Sequence, residues 1–228
     1  EAPVMTSATT ANFAENATGT AYTATATDVD AGTTLTYTIG GTDSALFNIN
    51  ASTGAVTFVT APNYEAPTDS GANNVYDITV TATDNGSGSL SATKAVAITV
   101  TNVNEAPVIT SAATASFAEN GTGTAYTAAA TDVDAGTTLT YTLGGTDSAS
   151  FNINASTGAV TFRVAPDYEA PTDAGANNVY DITVSAFDGA LSSVAQSVAI
   201  TVSNVNEAPT VTSAGSVAFA ENATGTVY

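Results

Sequence analysis

Cysteine, histidine and tryptophan are all absent from this 228-residue chain, and only two side chains, Lys94 and Arg163, are basic. Without cysteine there is no disulfide framework, and without cysteine and histidine the usual ligands of zinc and copper are missing. The same gaps remove the commonest general base and the thiol nucleophile, which argues against an enzyme. Missing tryptophan removes one stacking platform for sugars. Against two basic residues stand 21 acidic ones, for a formal charge of -19. A field of one sign repels nucleic acid and anionic lipid, so neither is expected as a partner. No apolar run approaches the roughly 18 residues that a membrane-spanning helix needs, so no direct membrane insertion is expected. No leader segment is evident and the one methionine is Met5, which places the expected native start elsewhere.

What the chain does have is an internal repeat. Asp28 to Tyr37 (DVDAGTTLTY) recurs unchanged as Asp132 to Tyr141, Phe47 to Phe58 as Phe151 to Phe162, and Gly71 to Val80 as Gly175 to Val184. Glu1, Glu105 and Glu207 open successive copies, 104 and 102 residues apart. The expected domains are residues 1–104, residues 105–206 and a truncated third copy, 207–228. An excerpt from a longer array is the expectation that follows.

Each copy reads as all-β. Tyr76, Ile78, Val80 and Ala82 alternate with Asp77, Thr79, Thr81 and Thr83, and Val96, Ile98 and Val100 show the same period of two. Leu35, Tyr37 and Ile39 alternate with threonines, while Val56 and Phe58 flank Thr57. Turn signals such as Ser52-Thr53-Gly54 separate these runs, and no sustained helical stripe occurs. About seven short strands in about 100 residues predict a Greek-key β-sandwich, repeated end to end.

The acids are not scattered. All eight glutamates fall at three recurring places: Ala-Glu-Asn (Glu15, Glu119, Glu221), Tyr-Glu-Ala-Pro (Glu65, Glu169) and Asn-Glu-Ala-Pro (Glu105, Glu207), with Glu1 beginning the series. Aspartate adds the pairs Asp28/Asp30 and Asp132/Asp134 and the strand-end residues Asp84 and Asp188. Ca²⁺ takes six to eight oxygens from carboxylates and carbonyls, and a chain rich in Asp, Glu and Asn without His or Cys offers those and few others. Two carboxylates one residue apart in a turn can meet on one ion. Asp43, Asp69, Asp77 and their counterparts Asp147, Asp173 and Asp181 are expected to be solvated surface acids.

These elements, in this order, resemble cadherin repeats, with a linker like that of bacterial cadherin-like surface adhesins. The matching pieces are Ala14-Glu15-Asn16, Asn63-Tyr64-Glu65 and Asp167-Tyr168-Glu169, the linker Asn102-Val103-Asn104-Glu105-Ala106-Pro107, Asp132-Val133-Asp134, and Ala186-Phe187-Asp188-Gly189. The resemblance implies Ca²⁺ between successive domains, two or three ions per joint. By resemblance one joint would use Glu15, Glu65, Asn102, Asn104, Glu105, Asp132, Asp134 and Asp188. The next would use Glu119, Asp167, Glu169, Asn204, Asn206 and Glu207, and Asp28, Asp30 and Asp84 would form a half-site. The linker is one residue shorter than the family's, and Asn63 stands where Asp167 retains an acid.

The function this implies is a Ca²⁺-rigidified extracellular spacer or adhesive stalk of a large, bacterial surface or secreted protein, whose partners are neighbouring repeats of the same chain. Two alternatives stay open. Near-identical repeats invite strand exchange into a filament with other copies of the chain, with Val217 to Tyr228 as an unpartnered strand. A carbohydrate-binding module for cell-surface glycans is the other, although no residue marks such a face.

Overall fold

The structure is a computed structural model that describes residues 1–213, 215, 218, 220–222 and 224–226. Within the segment Val217 to Tyr228, Val217, Phe219, Ala223, Val227 and Tyr228 therefore lie outside the described residues. The chain divides into two compact units, one of Glu1–Ala106 with Asp132–Thr137, the other of Pro107–Thr131 and Thr138 onward.

In the first unit the strands are β1 (Val4–Met5), β2 (Thr10–Ala14), β3 (Thr20–Thr23), β4 (Ala26–Thr27), β5 (Thr36–Gly40), β6 (Phe47–Ile49), β7 (Ala55–Phe58), β8 (Val75–Thr83) and β9 (Ser91–Thr101). Seven of them build two sheets, ordered β2-β9-β8-β5 and β3-β7-β6, and β1 pairs with β4. All pairings are antiparallel except that of β2 with β9. The alternation seen in the sequence sets the faces: Tyr76, Ile78, Val80 and Ala82 of β8 and Val96, Ile98 and Val100 of β9 are buried, while Asp77 is exposed. Burying each of these valines and isoleucines stabilises the fold by about 1.5–3 kcal/mol.

Phe13, Phe47, Phe58 and Tyr76 close one end of this core. Phe47 and Phe58 lie 4.3 Å apart by ring centroid, and Tyr76 meets Phe58 edge-on at 5.1 Å. Gly54 makes the β6–β7 turn possible. Its φ is +69°, and a Cβ there would stand 2.2 Å from the Ala24 carbonyl oxygen.

The second unit repeats the plan with β10 (Val108–Ile109), β11 (Thr114–Ala118), β12 (Thr124–Thr127), β13 (Ala130–Thr131), β14 (Thr140–Gly144), β15 (Phe151–Ile153), β16 (Ala159–Phe162), β17 (Val179–Phe187) and β18 (Gln196–Ser203). Its sheets are ordered β11-β18-β17-β14 and β12-β16-β15, with β10 on β13. Each unit is an all-β sandwich whose two main sheets hold seven strands.

One expectation fails. Asp43, Asp69, Asp147 and Asp173 are not solvated surface acids: they are only 5–6% exposed. Asp43 accepts the backbone N–H of Ser70 through Oδ1 and that of Asp77 through Oδ2, at 2.8 and 2.7 Å. Asp69 accepts from Asn73 and Asn74, both at 3.0 Å. Between them these two carboxylates hold the turn at 69–74, in which Ala72 and Asn74 have positive φ. Asp147 and Asp173 do the same in the second unit. Burial of a carboxylate is tolerated because backbone donors replace its water.

Candidate metal centre

Strand ends and the loop after β7 position the first cluster. Glu15 follows β2, and its N–H donates to the carbonyl of Thr101 at the end of β9, so the glutamate sits where β9 runs into the linker. Asn16 takes a positive φ of 57° and donates its N–H to Pro62, tying the loop after β7 to the same point. The Glu15 carboxylate is 2% exposed. Its Oε1 accepts the Val103 N–H at 2.7 Å and its Oε2 the Tyr64 N–H at 2.8 Å. One side chain thus fastens both the linker and the loop that carries Glu65.

Around it gather Glu65 and Glu105: one carboxylate oxygen from each of Glu15, Glu65 and Glu105 lies within 4.8 Å of the other two. Asn102 donates through Nδ2 to Glu65 at 3.0 Å and to Asp134 at 2.8 Å, and the Glu105 N–H donates to Asp134 at 2.9 Å. Asn16 Nδ2 reaches Glu105 Oε1 at 2.6 Å, and Asn104 Nδ2 reaches the Glu105 carbonyl at 3.3 Å. Asp132 accepts the N–H of Asp134, which folds the D-x-D segment into a turn.

The electrostatics are those of crowded carboxylates. Burial raises the Glu65 and Glu105 carboxyls above their usual range, and the neighbouring Glu15 and Asp134 charges push the same way. Glu65 Oε2, Glu105 Oε2 and Asp132 Oδ2 are buried with no hydrogen-bond partner. Buried anionic oxygens without donors are costly unless a cation meets them. An all-oxygen donor set of carboxylates and amides fits a hard divalent ion such as Ca²⁺, and it offers no nitrogen or sulfur ligand for softer metals.

The second unit carries the same cluster. Glu119, 2% exposed, accepts from Tyr168 N–H at 2.7 Å and Val205 N–H at 2.6 Å. Glu119, Glu169 and Glu207 again bring carboxylate oxygens within 4.8 Å of one another. Asn204 donates to Glu169 and Asn120 to Glu207 at 2.8 Å. The Val205 and Tyr168 amides hold the Glu119 carboxyl below the usual range, whereas burial and then Glu119 and Glu207 push Glu169 above it.

The other expected ligands are not members of these triads. Asp84 and Asp188 close their own loops, Asp84 accepting from Gly86 and Leu90 and Asp188 from Ala190 and Leu191. Asp28 accepts from Asp30 N–H, and Asp30 takes a hydrogen bond from the Glu1 ammonium. Asp28 Oδ2 is buried without a partner. Asp167 accepts from the N–H groups of Glu169 and Ala170, and Asn206 is exposed. Asn16 and Asn120 were not foreseen as part of the site. The only sequence signal for them is their fixed place after the recurring Ala-Glu.

Known proteins share this fold. Residues 9–101 match the family model of the cadherin domain. A search of the curated proteins finds no match. Among solved structures, mouse cadherin-23 EC22-24 is 26% identical with a TM-score of 0.54, over 90% of this chain and 65% of that one. This chain thus spans just under two thirds of that structure's length. Human protocadherin-24 EC1-2 (20% identical, TM-score 0.65) is covered over 99% of its length and Drosophila N-cadherin EC1-4 (22%, 0.60) over 50%, each by 90% of this chain. The first unit matches the cadherin domain over residues 9–101, and the second unit repeats its strands in the same order, so both units are similar to cadherin repeats.

Proposed function

We propose that this chain is part of an extracellular spacer or adhesive stalk, stiffened by Ca²⁺ held at the two glutamate triads. The observation that carries the reading is the pairing of three converging carboxylates with buried oxygens that lack any donor. Glu15, Glu65, Glu105, Asn102, Asp132 and Asp134 would hold the ions of the first site. Glu119, Glu169, Glu207 and Asn204 would belong to the second, with two or three ions at each when complete. Asp188, Asn104, Asp167, Asn206 and the half-site of Asp28, Asp30 and Asp84 are ligands by resemblance alone.

Bound Ca²⁺ supplies the positive charge that the sites lack. The residues do the rest: Glu15 fixes the linker and the Glu65 loop, Asn102 joins Glu65 to Asp134, and Asn16 orients Glu105. Restricting linker 102–106 in this way limits how one repeat moves against the next, which is what a stalk requires. Repeats of 1–104 and 105–206, a bacterial surface protein as the source, and the lack of catalytic activity belong to the same proposal. Similar repeats in known cadherins support the adhesive reading.

The test is small-angle scattering with Ca²⁺ and with chelator, alongside limited proteolysis. Chelation is expected to raise cleavage within 102–107 and to broaden the distribution of interatomic distances. Identical scattering and cleavage in both conditions would sink the proposal.

A further inference from the structure

The two repeats are so alike that their differences are informative. Between residues 41–80 and 145–184 only five positions change: Leu46 to Ser150, Val59 to Arg163, Thr60 to Val164, Asn63 to Asp167 and Ser70 to Ala174. Four of the five replacements, Ser150, Arg163, Val164 and Asp167, line one cavity of the second unit, which Phe162 and Thr172 also border.

The changes are also chemically concerted. In the first unit the matching cavity is about 340 Å³, and the partly buried Leu46, packed against the core, borders it. With Ser150 in that place the cavity is about 630 Å³. Val59 gives way to the one arginine of the chain. Arg163 Nε donates to the Phe151 carbonyl at 2.8 Å, which fixes the plane of the guanidinium. Among the described residues it has no carboxylate partner within ion-pair distance, although the chain is strongly acidic. Lys94, the other basic side chain, is spent on the Met5 and Ser7 carbonyls.

We infer that this cavity in the second repeat binds a hydroxylated organic carboxylate of the hexuronate type. A guanidinium held by one edge still presents a fork of donors that matches a carboxylate. Asp167, Ser150 and Thr172 offer acceptors for ligand hydroxyls, and Phe162 with Val164 gives an apolar wall for the ring's C–H face. Asp167 and the overall charge disfavour phosphate monoesters, which carry more negative charge per group than a carboxylate, and nucleic acid, which repeats its charge along a polymer. The first repeat, with Val59 and Leu46, lacks both the cation and the room. This reading does not rest on Ca²⁺ binding: none of the triad glutamates lines the cavity, although Asn120, which donates to Glu207, and Asp167 border it.

The experiment is a ¹⁵N-resolved titration of the whole chain with sodium glucuronate, glucose and sodium acetate, at fixed Ca²⁺. Glucuronate is expected to give saturable shifts at Ser150, Arg163 and Val164, with a dissociation constant on the order of 1 mM for a ligand of that size. Glucose, acetate and the Arg163→Val variant are each expected to bind at least about tenfold more weakly. Arg163→Val carries little folding risk, because the first repeat has valine at that place. The double variant Leu46→Ser/Val59→Arg is expected to create a second set of shifting amides in the first repeat. Absence of saturation with glucuronate would overturn the inference, as would equal binding of glucose or of acetate, retention of affinity in Arg163→Val, or no new site in the double variant.

Discussion

Replacing Asp43 by asparagine tests whether the buried acids hold the loops that carry the proposed metal ligands. The substitution is nearly isosteric, so packing changes little. Asp43 accepts two N–H groups, from Ser70 and from Asp77 in β8, one on each oxygen. An asparagine keeps one acceptor and turns an NH₂ toward the other N–H, which is then left buried without a partner. A hydrogen bond to a charged group contributes about 1.5–3 kcal/mol, so a loss of about that size is expected. Asp43→Ala removes both acceptors, and about 3–6 kcal/mol then approaches the whole stability of a small domain.

Urea unfolding followed by amide signals resolves the two repeats separately, so the second repeat, with Asp147 intact, serves as a standard in the same tube. With a urea dependence of about 1–3 kcal/mol per molar, the first repeat's midpoint is expected to fall by roughly 1–2 M in Asp43→Asn, while the second stays put. Asp77→Asn supplies the control. Its side chain is exposed, and the cost is expected to stay within about 0.5 kcal/mol. Equal midpoints for Asp43→Asn and Asp77→Asn would refute the assignment of a structural role to the buried carboxylate.

Three further outcomes are expected. Gly54→Ala should cost more than Gly32→Ala, because both have positive φ but only at Gly54 would the new Cβ meet a carbonyl oxygen, and the first repeat's urea midpoint reads the difference. Glu15→Gln should weaken Ca²⁺ binding by roughly 10- to 100-fold in calorimetry, since it removes one charge and one of the two anchors of linker and loop. In chelator, melting temperature should rise as pH falls from 7 toward 5. Glu65, Glu105 and Glu169 bind protons more readily folded than unfolded, so they destabilise the metal-free fold at neutral pH and the cost is relieved as pH falls through their raised values. Glu119 acts oppositely: its contribution is lost only as pH falls below the ordinary carboxylate range. A melting temperature that falls steadily over pH 7 to 5 in chelator contradicts this.

The period-two pattern of β8 and β9 was legible because each strand buries one face, so Tyr76 to Ala82 and Val96 to Val100 announce themselves. Glu15, Glu65 and Glu105 were legible for another reason, their fixed places in each copy. Asp43 and Asp69 were not, since a Thr-Asp-Ser segment reads the same whether its carboxylate faces water or backbone amides. What decides between them is where Ser70, Asn73, Asn74 and Asp77 place their N–H groups, a tertiary property. Nor could Asn16 be read as a partner of Glu105, because the two are 89 residues apart. The pairing of β2 with β9 and the path of the linker bring them together.

The chain therefore holds two kinds of buried acid, and they differ in what completes them. Asp43, Asp69 and their counterparts are completed by backbone donors within their own unit and need nothing from solution. The first glutamate triad is completed only in part: Glu15 has its two amides, while Glu65 and Glu105 each keep an oxygen without a donor. Removing Ca²⁺ should accordingly leave the sandwiches folded and act on linker 102–106 and the Glu65 loop. Amide exchange in chelator should speed up at Val103 and Tyr64 while Val80 and Ile98 stay protected. Equal acceleration throughout would mean that the metal holds the cores together and that the division drawn between the two kinds of acid is wrong.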